Sequence, residues 1–181
     1  MIKKIYQEKN AYYFHYEQLK KQLMIKLKKE IFKKALIAGF FSAFTIGVLT
    51  VLTYKSVFGL FLAGSFGSSM VLLFGFPESP FAQPKNVFFG HLVTSLVGVI
   101  FVSLVPLPIY INIAIAVGIG IFFMILLNVV HPPAGGNPII VIIGSVSFDY
   151  LIFPIISGCL IIILLAIFIN KFILKKNYPL K

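Results

Sequence analysis

The feature that most constrains this chain is a long stretch almost free of charge. Between residues 35 and 170 only four side chains carry a formal charge, those of Lys55, Glu78, Lys85 and Asp149. A water-soluble fold needs a charged surface, whereas 59% of the residues in this chain are hydrophobic. We therefore predict an all-α membrane protein, because helices satisfy their own backbone hydrogen bonds in lipid.

The basic residues lie mainly at the two ends of the chain. All sixteen are lysines; ten precede residue 35 and four follow residue 170. Lysines that flank membrane spans keep their flanks in the cytoplasm, so both termini are predicted to be cytoplasmic. Charge distributed in this way indicates orientation in a membrane, and no nucleic-acid partner is predicted.

Three regions follow from this pattern: a basic leader (1–34), a transmembrane domain (35–170) and a basic cytoplasmic tail (171–181). In the leader, apolar residues recur every three or four positions with lysines on the other face: Tyr12, Tyr16, Leu19, Leu23, Leu27 and Ile31. This pattern predicts an amphipathic helix lying on anionic lipid headgroups. The alternative is a solvated extension that only sets the topology.

Four apolar stretches are long enough to cross a bilayer: 35–54, 87–105, 109–130 and 151–170. Two shorter apolar runs, 70–76 and 139–143, predict re-entrant or broken half-helices. Four crossings keep both termini on one side. Five or six complete crossings stay open as alternatives, but five would place the C-terminal lysines outside, against the charge rule. Around Lys55 the chain forms either a very tight hairpin or one helix that continues to about Leu62.

Small residues spaced four apart predict close contacts between helices. They form a stripe on the first span and two pairs on the third: Gly39, Ala43 and Gly47; Ala114 and Gly118; Ala116 and Gly120.

The segment from His131 to Pro138 (HPPAGGNP) interrupts the apolar pattern. Two prolines end a helix, and two glycines permit backbone conformations closed to other residues. Asn137 followed by Pro138 is typical of an N-cap and a first helical position, so a short helix should begin there and end near Gly144. Such a break survives at membrane depth only when protein buries it or when it lines a cavity.

A weak internal repeat connects this break with an earlier one. Residues 67–75 (GSSMVLLFG) align with residues 136–144 (GNPIIVIIG), sixty-nine positions later. Matching interruptions in two halves of a membrane protein indicate a transporter binding site.

The start of a half-helix presents unpaired N–H groups and a positive dipole end, which favour a bound anion. We therefore predict that the substrate contacts residues at the two breaks: Ser68, Ser69, His131, Gly135, Gly136 and Asn137. His131 binds the substrate, relays protons or bonds to a carbonyl that holds the break; these alternatives stay open. His91, an ionisable residue within a span, is predicted as a proton relay or a supporting hydrogen-bond partner.

Catalytic and metal-binding motifs are not apparent. The sequence pairs no acidic residues, spaces no two histidines four apart and places no second residue beside His131 to complete a dyad. The single cysteine, Cys159, allows no disulfide within the chain. We therefore predict no cofactor, no metal and no enzymatic activity.

Three motifs, in this order, resemble the HPP family of small integral membrane proteins: residues 67–74 (GSSMVLLF), residues 79–86 (SPFAQPKN) with Gly90 and His91 after them, and residues 131–136 (HPPAGG). The resemblance implies four transmembrane helices. Plant plastid and cyanobacterial members of that family are assigned nitrite transport. Family members often have a small or hydroxyl residue after Ala-Gly-Ala, where this chain has Gly136, Asn137 and Pro138; this departure bears on the substrate.

The combined expectation is a multi-pass transporter or channel in the bacterial cytoplasmic (inner) membrane. Its substrate is a small inorganic anion, with nitrite the leading candidate. Four crossings can hardly enclose a wide pathway, so a homo-oligomer is expected. The alternatives are a structural or signalling membrane protein without transport activity and, further off, an intramembrane enzyme.

Overall fold

The computed structural model describes residues 2–57 and 59–180, and for residues 2–15 it describes the backbone alone. The described residues form helices and no strand, which confirms the all-α fold. Six helices follow one another: α1 (Ile2–Lys55), α2 (Phe66–Gly75), α3 (Pro84–Leu104), α4 (Ile109–Leu126), α5 (Asn137–Ile143) and α6 (Leu151–Ile173). Short 3₁₀ turns, Pro80–Ala82 and Pro132–Gly136, precede α3 and α5.

Four of these helices are long and apolar enough to cross a membrane, as predicted: α1 from Tyr16 onward, α3, α4 and α6. Their ends follow local chemistry. Helix α3 begins at Pro84, because a proline in the first turn removes no hydrogen bond that the helix needs. Helix α4 ends four residues before the predicted 130, where Asn128 adopts a left-handed φ of 53° that asparagine tolerates.

The chain packs as two units, Met1–Ile37 and Ala38–Lys181. The first unit is the leading part of α1, and the predicted leader is helical. Its apolar residues are each more than half exposed: Tyr16, Leu19, Leu23, Leu27 and Ile31. The Tyr12 side chain lies outside the described residues. Binding of this face to anionic headgroups stays a prediction.

Of the two alternatives for the region after Lys55, the helix that continues to about Leu62 is wrong; the chain does reverse its direction after Lys55, but over several residues and not in a two-residue turn. Helix α1 ends at Lys55, the next helix begins at Phe66, and residues 59–63 lie outside any helix. The chain turns back on α1, where the Phe61 N–H donates to Thr53 Oγ1 at 3.0 Å. Gly59, with a φ of 122°, supplies a backbone conformation that other residues rarely adopt.

The stretch from Gly59 to Gly75 runs parallel to α6. Near its beginning, the Phe61 carbonyl and the Phe66 ring pack where a side chain at Gly158 would lie, close to the start of α6. Near its end, the Leu73 carbonyl accepts a hydrogen bond of 2.9 Å from Asn170 Nδ2, close to the end of α6. This interrupted segment therefore covers most of the length of α6.

The second interrupted segment, residues 131–143, runs parallel to α3 in the same way. Its start lies at Gly90, where an added Cβ would come within 2.8 Å of His131 Cβ. Further along, an added Cβ at Gly98 would lie 3.0 Å from Pro138 Cα and 3.0 Å from Val141 Cβ. This segment also travels along its neighbour and does not double back.

The two interrupted segments have opposite directions. Tyr178, which follows α6, donates a hydrogen bond to the carbonyl of Ala82, which precedes α3. The end of α6 therefore lies at the same level as the start of α3, and these two helices are antiparallel. The order span, interrupted segment and span occurs twice, which matches the sixty-nine-residue repeat. Of the predicted re-entrant and broken forms, the contacts favour the broken one: the chain passes through the bundle six times.

The small-residue pairs behave differently from one another. An added Cβ at Gly120 would lie 3.4 Å from Thr94 Cγ2 and 3.5 Å from Pro138 Cγ, so this residue makes the predicted close contact. An added Cβ at Gly39, Gly47 or Gly118 would meet nothing within 4 Å. Those positions therefore do not face another helix among the described residues, and that expectation is wrong within this chain.

Candidate functional site

A cluster of buried polar side chains lies where the two interrupted segments meet α3. Its members expose at most 6% of their surface: Ser65, Ser69, His91, Thr94, Ser95, His131 and Asn137. His91 lies seven residues after Pro84, about 10 Å along the helix at 1.5 Å per residue. The cluster therefore sits well inside the bundle, away from the helix ends.

The sequence of α3 builds one side of this cluster. Gly90, His91, Thr94, Ser95 and Gly98 recur at spacings of one, three and four, so they share one helix face. The two glycines lack side chains where His131 and Pro138 pack closest. Close approach of the second interrupted segment thus depends on glycine, and the polar residues between the glycines become its partners.

The partners of His131 determine which ring nitrogen carries the proton. Its Nδ1 lies 2.7 Å from the Phe81 carbonyl oxygen. A carbonyl only accepts hydrogen bonds, so Nδ1 must be the donor. In the neutral ring Nε2 is then an acceptor, and it accepts a hydrogen bond of 2.8 Å from the Ser69 hydroxyl. A longer contact of 3.3 Å from the same hydroxyl to the Ser65 carbonyl competes less well.

The tautomer of His91 follows from the same matching of donors to acceptors. Ser69 gives its one proton to His131, so its oxygen accepts from His91 Nε2 at 3.0 Å. His91 Nδ1 is then an acceptor. It accepts a hydrogen bond from the side-chain amide of Asn137, whose Nδ2 lies 3.0 Å away. The orientation of this amide is supported independently, because Nδ2 also lies 3.2 Å from the His91 carbonyl oxygen.

These assignments produce one directed chain of hydrogen bonds. Asn137 donates to His91, His91 donates to Ser69, Ser69 donates to His131, and His131 donates to the Phe81 carbonyl. Both imidazoles are neutral in this arrangement, and each is joined to the other through one hydroxyl. Once one ring has gained an additional proton, such a chain can pass a proton to the other ring without a rearrangement of the backbone.

The predicted role of Asn137 as an N-cap is wrong. Its backbone is helical, with φ −59° and ψ −42°, and Gly136 occupies the cap position. The 3₁₀ turn leads directly into α5, so the asparagine side chain is not needed at the helix start. Its amide instead binds α3, where Ser95 Oγ lies 2.9 Å and Thr94 Oγ1 lies 3.2 Å from Nδ2.

The structure brings together four of the residues selected from the sequence: Ser69, His91, His131 and Asn137. Ser68 is exposed. Gly135 and Gly136 are partly exposed, and an added Cβ at Gly136 would meet nothing within 4 Å. These three residues are therefore more exposed than the members of the cluster.

Sequence reasoning missed several members of the site. Thr94 and Ser95 follow His91 by three and four residues, and this spacing on one helix face could have revealed them. Ser65, one helical turn before Ser69, lies 3.4 Å from His91 Nδ1. The pairing of Ser69 with His131 was also missed, because sixty-two residues separate the two.

The cluster carries no acidic or basic side chain apart from its two neutral imidazoles. The four charged residues between positions 35 and 170 are all exposed. The Phe66 ring stands edge-on to His91, with ring centroids 5.1 Å apart, and closes one side. Among the described residues no three His, Cys, Asp or Glu side chains are grouped to hold a metal ion. The site is therefore a closed, uncharged network in which donors meet acceptors.

Comparison with known proteins gives one family. A family model described as "HPP, transmembrane region" matches residues 28–179. The chain is also similar to two transmembrane proteins of Dictyostelium discoideum. One is 38% identical over 126 residues, which cover 66% of this chain and 44% of that protein. The other is 37% identical over 127 residues, which cover 66% and 41%. The chain thus spans less than half the length of these relatives. No solved structure matches.

Proposed function

The chain belongs to the HPP transmembrane family, and from this premise we propose that it is a transporter or channel for a small inorganic anion. Nitrite is the leading candidate, because the family resemblance implies it. We also propose a bacterial inner membrane, cytoplasmic placement of both ends of the bundle, and assembly as a homo-oligomer, on the basis of the terminal lysines and the small size of the bundle.

One observation carries the proposal. Two interrupted segments of opposite direction meet inside the bundle, and their interruptions converge on His91 through Ser69 and Asn137. Interrupted helices with convergent polar groups in mid-membrane are the recurrent design of transporter binding sites. In a protein without such a role, two uninterrupted helices would fill the same space with fewer exposed backbone groups.

The chemistry of the cluster favours an anion over a cation. Asn137, Ser69 and the imidazoles supply N–H and O–H donors, and the buried network contains no carboxylate to neutralise a cation. The donors are engaged with one another in this closed conformation. An entering anion must therefore displace internal hydrogen bonds, which couples its binding to a rearrangement of the two breaks.

The two histidines, joined through Ser69, contribute to the proposed mechanism by holding a proton. A small anion in a site of low dielectric constant is costly unless its charge is compensated. An additional proton taken up from water compensates it by making one of the two rings an imidazolium, and the Ser69 hydroxyl allows that proton to be held by either ring. Nitrite, the anion of a weak acid, can travel with such a proton. We therefore infer proton-coupled transport, with Ser69 as the bridge between the two rings.

A structural role is the second candidate, and one observation favours it. The members of the cluster satisfy one another without a ligand, as a brace for the break would require. An enzyme is less favoured. Ser69 and His131 have the contact of a nucleophile and its base, but the Ser69 oxygen also accepts from His91 and is fully buried.

Uptake into proteoliposomes separates these roles. The purified full chain is tested with nitrite, nitrate, formate and chloride, with and without an inward proton gradient. We expect gradient-stimulated uptake of nitrite. His131→Gln should abolish the stimulation and leave anion exchange, because glutamine does not relay protons. Ser103→Ala, at an exposed position, is the matched control. Folded protein that carries none of these anions would refute transport, and loss of folded yield alone in His131→Gln would support the brace.

A further inference from the structure

The chain that follows α6 folds back over the bundle. Its lysines by themselves predict only a basic cytoplasmic tail. Tyr178 exposes only 2% of its surface and belongs to the same core as Leu73, Phe74 and Val87. Its hydroxyl donates to the Ala82 carbonyl at 2.9 Å. Two residues later, the Leu180 N–H donates to Gln83 Oε1 at 2.8 Å.

The tail docks on a loop that Gln83 organises. The amide nitrogen of Gln83 donates to the Pro77 carbonyl at 2.9 Å and to the Ser79 carbonyl at 2.8 Å. The oxygen of the same amide accepts the hydrogen bond from the Leu180 N–H in the tail. Loop and tail are therefore one hydrogen-bonded unit in which a single side chain holds both parts.

This loop also holds His131. The Phe81 carbonyl that accepts from His131 Nδ1 and the Ala82 carbonyl that accepts from Tyr178 are consecutive in the turn Pro80–Ala82. Asn86, two residues into α3, adds a bond of 2.9 Å from its side-chain amide to the Val130 carbonyl, beside His131. The tail, the turn and the break are thus joined in series.

We propose that Tyr178 is a positioning residue for His131, and that residues 174–180 form a latch on the Pro80–Ala82 turn. The docked latch keeps the Phe81 carbonyl on His131 Nδ1, which keeps the proton on that nitrogen and leaves Nε2 to accept from Ser69. Release of the latch frees the turn, and the relay loses its defined direction. The consequence for transport rests on the proposed function, whereas the effect on the His131 tautomer does not.

The test reads the tautomer directly. Tyr178→Phe removes one hydroxyl and keeps the buried ring. The full chain, with ¹⁵N-labelled histidine, is examined by NMR in lipid nanodiscs. Loss of one hydrogen bond of about 0.5–1.5 kcal/mol corresponds to a roughly two- to tenfold change in an equilibrium. We therefore expect the two His131 ring nitrogens to shift toward each other and the Nδ1 proton to exchange about two- to tenfold faster. Tyr110→Phe, the same change at a residue that is 72% exposed, should leave the spectrum unaltered.

A second variant keeps the proposal testable if Tyr178→Phe does not fold. Leu180→Pro removes the backbone N–H that binds Gln83, at a position whose side chain is 40% exposed, and it should produce the same shift. A His131 spectrum identical to that of the unsubstituted protein, in whichever of these variants folds, overturns the latch. The transport assay separates the two ideas. If the His131 signals move while no protein carries anions, the latch stands and the transport proposal fails.

Discussion

Replacement of Ser69 by alanine tests the network at its centre. The Ser69 oxygen joins His91 Nε2 at 3.0 Å and His131 Nε2 at 2.8 Å, and both rings are fully buried. Ser69→Ala leaves one buried donor and one buried acceptor without partners. Each buried polar group without a partner costs about 1–3 kcal/mol, so the free energy of unfolding should fall by about 2–6 kcal/mol. Deletion of one oxygen atom opens too little space for a water molecule to restore both bonds.

The assay is reversible unfolding in mixed detergent micelles, with Ser42→Ala as the matched control. Ser42 donates to the Ala38 carbonyl of its own helix at 2.7 Å, so its loss breaks only a local bond. That variant should lose no more than about 0.5–1.5 kcal/mol. A double-mutant cycle with His131→Gln should show coupling above about 0.5 kcal/mol, as expected of residues in one network.

Two results would refute this reasoning. Ser69→Ala that unfolds like Ser42→Ala would mean that the hydroxyl holds nothing together. A cycle without coupling would mean that Ser69 and His131 do not depend on each other. In transport, Ser69→Ala should lose gradient-driven nitrite uptake and keep part of the exchange, because the Asn137 amide and the backbone donors remain.

Two further predictions concern packing and topology. Gly90→Ala places a Cβ 2.8 Å from His131 Cβ and should destabilise the protein by about 1–3 kcal/mol, whereas Gly118→Ala, with open space around it, should be neutral or slightly stabilising in the same unfolding assay. An impermeant maleimide should label Glu78→Cys from the same side of the membrane as Lys175→Cys, and Ser147→Cys from the other side. If Glu78→Cys is labelled from the side of Ser147→Cys instead, the topology has four crossings and the two interrupted segments are re-entrant.

The sequence predicted the parts of the fold that depend on local composition. Lack of charge located the four long spans, and the prolines and glycines after His131 located the second break. The course of residues 59–65 could not be predicted, because irregular backbone has no periodicity to read. The N-cap assigned to Asn137 failed for a related reason: a local preference yielded to tertiary hydrogen bonds with α3.

The membership of the cluster depends on folding at long range. Ser69 lies twenty-two residues from His91 and sixty-two from His131, and no local pattern connects them. The sequence did indicate that histidines within or beside apolar segments need partners. Which partners they find is determined by the antiparallel arrangement of the two interrupted segments, a property of the assembled bundle.

The irregular stretch after α1 has a consequence for how the protein is made. Its backbone groups cannot enter lipid by themselves, since each unpaired N–H or carbonyl in hydrocarbon costs several kcal/mol. The Phe61 carbonyl packs against Gly158, a residue that the ribosome adds almost a hundred positions later. We therefore expect the first interrupted segment to stay outside the hydrocarbon, or within the insertion machinery, until α6 has been made. Membrane insertion of this bundle should then be complete only after α6 is in place.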